Sequence, residues 1–269
     1  MMALCVKANY AEDQATKMIY LKSADEIKKI RESCRIIALL FDELQKMIVP
    51  GANTWELDKF ADEFIRSKGG IPSFKGYTIP GLPPFPGAIC ASINSAIVHG
   101  LPSQKAVLKA GDLLGVDVGV VKDGYHGDAA RTYAVGEISP AAQSLMDITV
   151  KSLELGIAAA ITGNRVGDIS WAIGSYIQSQ GYFAADNLTG HGIGRELHEA
   201  PQIPNTGFRG KGPRLHKGMT LAIEPMVNIG TNRVKEIGWE FFTADDSLSA
   251  HFEHTILITD GKPEILSIT

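Results

Sequence analysis

At 269 residues, 45% hydrophobic and 21% charged, the chain has the composition of an ordinary globular protein with one large core or two modest ones. A net charge of −4 and a pI near 6.0 leave no basic stripe to displace counterions, so nucleic acid is not an expected partner. Three scattered cysteines (Cys5, Cys34, Cys90) argue against a disulfide framework, no apolar run approaches the ~18 residues of a membrane span, and Met1 to Gln14 reads poorly as a signal peptide. A soluble, cytoplasmic protein with no membrane association is expected.

Residues 1–20 read as a loose leader and residues 21–269 as one domain in two halves, about 21–135 and 136–269. Ser23 to Glu26 has capping-box spacing, and Ile27, Ile30, Ile37, Leu40, Phe41 and Leu44 follow at helical intervals until Pro50-Gly51. A second helix starts near Asn53-Thr54 and stops at Gly69-Gly70. Five prolines between Ile71 and Ala88 exclude regular structure there. With Phe74, Tyr77 and Phe85, that segment is either a rigid surface loop or the wall of a substrate pocket. Ser139-Pro140 opens a third helix, broken at Thr162-Gly163, and a fourth carries Ile169, Ile173, Tyr176 and Ile177 up to Gly181.

The second helix pair echoes the first. Gly51, Glu56, Leu57, Phe64, Ile65 and Gly69 meet, at a constant offset, Gly163, Asp168, Ile169, Tyr176, Ile177 and Gly181. A His-Gly follows each pair (His99-Gly100, His191-Gly192), and then an apolar strand ending in a carboxylate: Asp117 after Leu113-Leu114-Gly115-Val116, and Glu224 after Leu221-Ala222-Ile223. Burying a carboxylate in so apolar a setting is costly unless a cation neutralises it. The repetition suggests two half-sites facing one charged guest; chance similarity of short amphipathic segments is the alternative.

Asp123-Gly124 is a strong two-residue hairpin signal. It places Asp117 opposite Ala130, with Asp128 on the same face roughly 7–8 Å away by backbone position. A three-residue loop would put Asp128 on the other face. Glu224 precedes Pro225, which cannot donate to a ladder, and Glu253 falls within a strand expected over residues 250–258. His126, His216, His251 and His254 read as unremarkable polar or surface histidines.

Jointly, Val98-His99-Gly100, Asp117 with Asp128, the Gly190-His191-Gly192-Ile193-Gly194-Arg195…His198-Glu199…Pro201 block, Ile223-Glu224-Pro225-Met226 and Phe252-Glu253-His254-Thr255 resemble the type I methionine aminopeptidases. The resemblance runs from about residue 22 to the C-terminus and implies an α+β pita-bread (creatinase/aminopeptidase) fold. That fold is a pseudo-twofold repeat with an antiparallel sheet covered by two helix pairs. It implies that Asp117, Asp128, His191, Glu224 and Glu253 ligate two divalent metals, while His99 and His198 contact substrate. Four carboxylates balance two divalent cations, and oxygen ligands with one imidazole suit Mn, Fe(II) or Co at least as well as Zn. In the implied reaction a hydroxide shared by two metals about 3.5–4 Å apart attacks the scissile carbonyl. His198 would steady the developing oxyanion, Glu224 would carry the proton toward the leaving amine, and His99 would hold the peptide.

The resemblance also makes Cys90, Leu197, Trp239, Tyr77 and Phe85 candidates to surround a substrate methionine side chain. It implies nascent polypeptides with N-terminal methionine and a small second residue as substrates, a monomer, and any transient ribosome contact through the catalytic domain's own surface. Within the fold, prolidase and aminopeptidase P are the rivals. They generally carry a sizeable extra N-terminal domain, whereas about twenty residues precede the first helix here. A non-catalytic binding protein is the third reading, opposed by retention of all five ligand-type residues.

Overall fold

The computed structural model describes residues 18–268, so most of the expected leader lies outside the described residues. At its described end, Ile19 packs against one of the main cores, and the Lys22 backbone N–H donates to Gly218 O at 2.8 Å.

Helices α1 (Ala24–Met47), α2 (Thr54–Ser67), α3 (Pro140–Ala159) and α4 (Val166–Ser179) begin where local chemistry dictates. The Ser23 hydroxyl accepts from the Glu26 N–H at 3.4 Å and the Glu26 carboxylate accepts from the Ser23 N–H at 2.8 Å, completing the expected box. Asn53 caps α2, and Ser139 caps α3 with Pro140 in its first turn. No helix among the described residues is long and apolar enough to cross a membrane.

Each helix pair covers its own core. Ile37, Leu40, Phe41 and Leu44 of α1 pack with Leu57 and Ile65 of α2 over Val116, Val118 and Val120. Leu145 and Leu153 of α3 pack with Ile169 and Ile173 of α4 over Leu221, Ile223 and Ile256. The correspondence between the halves is geometric. The Gly51 N–H donates to Leu108 O and the Gly163 N–H to Leu215 O, at 2.8 and 3.0 Å, beside the matching bridges Asn53↔Val107 and Arg165↔Arg214.

The His-Gly pairs match as well. A Cβ on Gly100 would stand 2.2 Å from Ala91 O, and one on Gly192 would stand 2.2 Å from Ala200 O. Neither carbonyl can retreat without moving a strand. Gly192→Ala should therefore cost at least about 1–3 kcal/mol. Gly261→Ala, whose added carbon would meet only Thr259 Oγ1 at 3.9 Å, should be close to neutral. Thermal midpoints of the two variants compare them directly, and equal midpoints would contradict the packing argument.

The strands pair antiparallel, as expected, and their hydrogen bonding divides into four sheets among the described residues. Leu113–Lys122 pairs with Tyr125–Ala134 across the Asp123-Gly124 loop, with Asp117 opposite Ala130. The two-residue loop thus sets the parity that puts Asp128 on the face of Asp117. Two expectations are corrected. Asp117 does not end its strand, which runs on to Lys122. The Pro-rich segment contributes a short strand, Ile71–Pro72, on the sheet edge against Val121 and Val120, where a proline costs no ladder bond.

In the second half, Thr220–Ile223 pairs with His254–Leu257 and Met226–Asn228 pairs with Ser249–His251. The strand expected over 250–258 is thus broken at Phe252-Glu253, directly across from the break at Glu224-Pro225. Pro225 has no N–H for the ladder, and the Glu253 N–H instead donates to Ala130 O at 2.9 Å.

Candidate metal centre

The two breaks turn Glu224 and Glu253 out of regular pairing, and hydrogen bonds between the halves bring the hairpin to them. The Thr255 hydroxyl accepts from the Asp128 N–H at 3.0 Å and donates to Asp128 O at 2.7 Å. The Thr132 hydroxyl similarly accepts from the His251 N–H and donates to His251 O, both at 2.9 Å. With the Glu253–Ala130 bond, these fasten Tyr125–Ala134 along residues 251–255. His191 arrives on Thr189–Gly192, opposite Ala222 of the adjacent strand.

The result is a small cavity of about 20 Å³ lined by Asp117, Asp128, His191, Glu224 and Glu253 together with His99, His198, Cys90 and Phe74. It has room for a water-sized guest or two. All five ligand-type residues from the sequence meet there. Ligand atoms of Asp128, His191 and Glu253 lie within 4.8 Å of one another, and His191 Nε2 is 3.5 Å from Glu224 Oε1 and 3.9 Å from Asp128 Oδ2.

A cation fits this arrangement on three grounds. First, His191 Nδ1 is 2.9 Å from Gly192 O, and a carbonyl can only accept. Nδ1 therefore carries the proton, and Nε2 presents a lone pair to two carboxylates. Burial holds this imidazole down at about 4, so it stays neutral near pH 7. Second, Asp117 Oδ1, Asp128 Oδ1 and Glu253 Oε1 are buried without a hydrogen-bond partner, which is costly for such groups unless a cation sits against them. Third, burial pushes the Asp117 carboxyl up to about 7. Burial and then the Glu253 and Asp117 charges push Asp128 well up, and burial and then the Glu224 and Asp117 charges do the same to Glu253. Crowded, desolvated carboxylates resist ionising together unless positive charge is supplied.

His99 sits at a positive φ of 59°, buried with its ring edge-on to Phe241 at 5.4 Å. His198 packs against His191 with ring centres 4.4 Å apart, and Tyr77 stands edge-on to it at 5.9 Å. Burial keeps both substrate-contact candidates neutral, His99 at about 4 and His198 well below its ordinary value.

The apolar candidates divide. Cys90 lines the cavity, whereas Phe85, Leu197 and Trp239 are buried in the cluster behind it and Tyr77 packs on its edge. Trp239 is held by its Nε1–H donating to Pro83 O at 2.9 Å and by Phe85, edge-on at 5.5 Å. The Pro-rich segment is therefore a wall of this region, anchored by buried Phe74 and Phe85.

Sequence reasoning missed one neighbour and named the other, Phe74, only as part of a possible pocket wall. His251, read as unremarkable, is buried with Nε2 3.7 Å from Glu224 Oε2. Phe74 lines the cavity where a Cβ on Gly119 would come within 2.8 Å of its ring. A glycine inside an apolar strand was the available signal for that close approach. His126 is half-buried and bonded to Ser73, His254 is half-buried and bonded to Ser267, and His216 is exposed.

An enclosed cluster of four carboxylates and one imidazole, set between two matching half-structures of the pita-bread fold, has the character of a metal-dependent hydrolase. Residues 28–260 match the model of metallopeptidase family M24, and the chain belongs to that family. It is 46% identical over 253 residues to a methionine aminopeptidase of Clostridium acetobutylicum, covering 93% of this chain and 99% of that protein. The crystal structure of a methionine aminopeptidase from Thermotoga maritima superposes with a TM-score of 0.90 at 44% identity, covering 94% of this chain and all of that one. A prolidase from Pyrococcus furiosus shares the fold, with a TM-score of 0.75, but only 23% of the sequence, and the match covers 65% of its length.

Proposed function

We propose that this chain is a methionine aminopeptidase that removes N-terminal methionine from nascent proteins and peptides, preferring a small second residue. Residues 21–269 form its catalytic domain in this reading. The observation that carries it is the small cavity where Asp117, Asp128, Glu224 and Glu253 meet His191, in a chain whose relatives, similar over nearly their whole length, are methionine aminopeptidases. The prolidase alternative rests on likeness of fold alone.

Asp117, Asp128, His191, Glu224 and Glu253 would hold two divalent ions, with Mn, Fe(II), Co and Zn all compatible with the donors. When bound, such ions supply Lewis acidity to the scissile carbonyl and acidify a water. The chain's own groups do the rest. Neutral His198 offers an N–H to the carbonyl oxygen as negative charge develops there, a contact that strengthens only as the barrier is climbed. Glu224 carries the proton to the departing amine nitrogen. His99, whose Nδ1 is buried without a hydrogen-bond partner, accepts from the substrate backbone and fixes its reach. Cys90 and Phe74 form the apolar wall for the first side chain, with Leu197, Tyr77, Phe85 and Trp239 supporting it. Burying a methionine side chain supplies about 1.5–3 kcal/mol, so rejection of branched competitors must come from shape.

The reading places the enzyme in the cytoplasm as a monomer, meeting chains as they leave the ribosome through the surface of this same domain. Hydrolysis of Met-Ala-Ser should exceed that of Ala-Pro-Ala, should stop on chelation and should return with an added divalent metal. Preference for the proline peptide would instead favour a prolidase, and failure to cleave with every metal would favour a binding protein.

A further inference from the structure

A second cavity, of about 640 Å³, opens beside the metal centre and shares His198 with it. Its walls come from the start of the described chain (Met18, Tyr20, Lys22) and from the segment around His198 (Arg195, Glu196, Glu199). The walls are firmly tied. Lys22 Nζ is 2.5 Å from Glu199 Oε2, with both side chains almost wholly buried. The other carboxylate oxygen, Oε1, accepts from the Arg195 N–H at 2.7 Å and the Glu196 N–H at 3.3 Å. Glu199 thereby fixes the turn that leads into His198. Across the cleft, Glu26 Oε1 accepts from the Tyr125 hydroxyl at 2.7 Å and from the Arg195 guanidinium at 3.0 Å.

These pairings account for four of the five charged side chains in the cleft. Lys22 is matched by Glu199 and Arg195 by Glu26. Glu196 has no ion pair among the described residues; it is exposed, and its charge reaches the Tyr77 phenol that packs on His198. Among the described residues the cleft therefore carries one uncompensated negative charge at the mouth of the metal centre.

We propose that this cleft receives the part of the peptide beyond the scissile bond, and that Glu196 makes it select for a cationic side chain there. This rests on the aminopeptidase reading above. A substrate held by its first residue in a cavity this enclosed must lead the rest of its chain away, and the shared His198 marks where the cavity becomes an open channel. A lysine or arginine at the third or fourth position can approach Glu196, whereas an acidic residue there meets repulsion.

The test compares kcat/KM of the metal-restored enzyme for Met-Ala-Lys, Met-Ala-Glu and Met-Ala-Ser in low and high salt, with wild type and Glu196→Gln. Wild type should favour the lysine peptide over the glutamate peptide by about two- to fivefold at low salt, the range an exposed ion pair supplies. That ratio should shrink as salt screens the charge and approach unity in Glu196→Gln. Equal rates on the two charged peptides, or a preference that survives the substitution, would overturn the assignment while leaving cleavage of Met-Ala-Ser intact. Failure of wild type on all three peptides would instead overturn the aminopeptidase reading beneath it.

Discussion

Asp117→Asn should lose roughly 10³- to 10⁴-fold in kcat/KM, because several kcal/mol of Lewis-acid stabilisation goes with the weakened cation site, while the metal-free protein becomes more stable. The second half of that expectation is the more diagnostic. Burial raises this carboxyl from 3.8 to about 7. In the metal-free fold it therefore opposes folding increasingly as pH rises from about 4 through 7, since the unfolded chain ionises first and the folded one resists. A shift of that size corresponds to roughly 4 kcal/mol, reduced by whatever the buried amide fails to bond.

The buried histidines press the other way. Burial lowers His99 and His191 to about 4 and His251 to about 3, so they make the fold more stable as pH climbs from those values to their ordinary range. The readout is thus the difference between chelated wild type and chelated variant. It should be small near pH 4, grow toward pH 7 and favour the variant. A variant no more stable than wild type at pH 7 would mean that Asp117 is adequately solvated, and the case for a cation beside it would fall.

Stripping divalent metal from the wild-type protein should abolish peptide cleavage and lower the thermal midpoint; restoring metal should reverse both. A ligand at a hundred times its dissociation constant that binds only the folded state adds about 2.7 kcal/mol. For a chain of this size that is roughly 5–10 °C. The same metal should shift Asp117→Asn far less. Cleavage that persists under exhaustive chelation would exclude the mechanism, and an unchanged midpoint on adding any divalent metal would exclude the site. The two assays fail separately, so loss of catalysis cannot be mistaken for loss of binding.

Much of the site was legible in the sequence because its determinants act over short range. Ser23, Asn53 and Ser139 announced helix starts since a cap satisfies backbone groups within one turn. Asp123-Gly124 set the hairpin parity since a two-residue loop keeps Asp117 and Asp128 on one face, where a three-residue loop would separate them. The recurring Gly-centred turns and His-Gly pairs revealed the duplication, and with it the convergence of five ligand-type residues.

Other features needed the folded molecule. The break at Phe252-Glu253 is imposed by Ala130, whose carbonyl takes the Glu253 N–H, and nothing local to that sequence marks it. His251 reads as an ordinary histidine until burial sets it beside Glu224. The charge left on Glu196 emerges only once Lys22 has claimed Glu199 and Glu26 has claimed Arg195. The sequence by itself determined the elements, the duplicated plan and the residues of ligand type, since propensity, capping and turn geometry are properties of neighbouring residues. Tertiary structure alone decided where the ladders break, which groups lose their water and which charges remain unmatched, because desolvation and pairing depend on residues far apart along the chain.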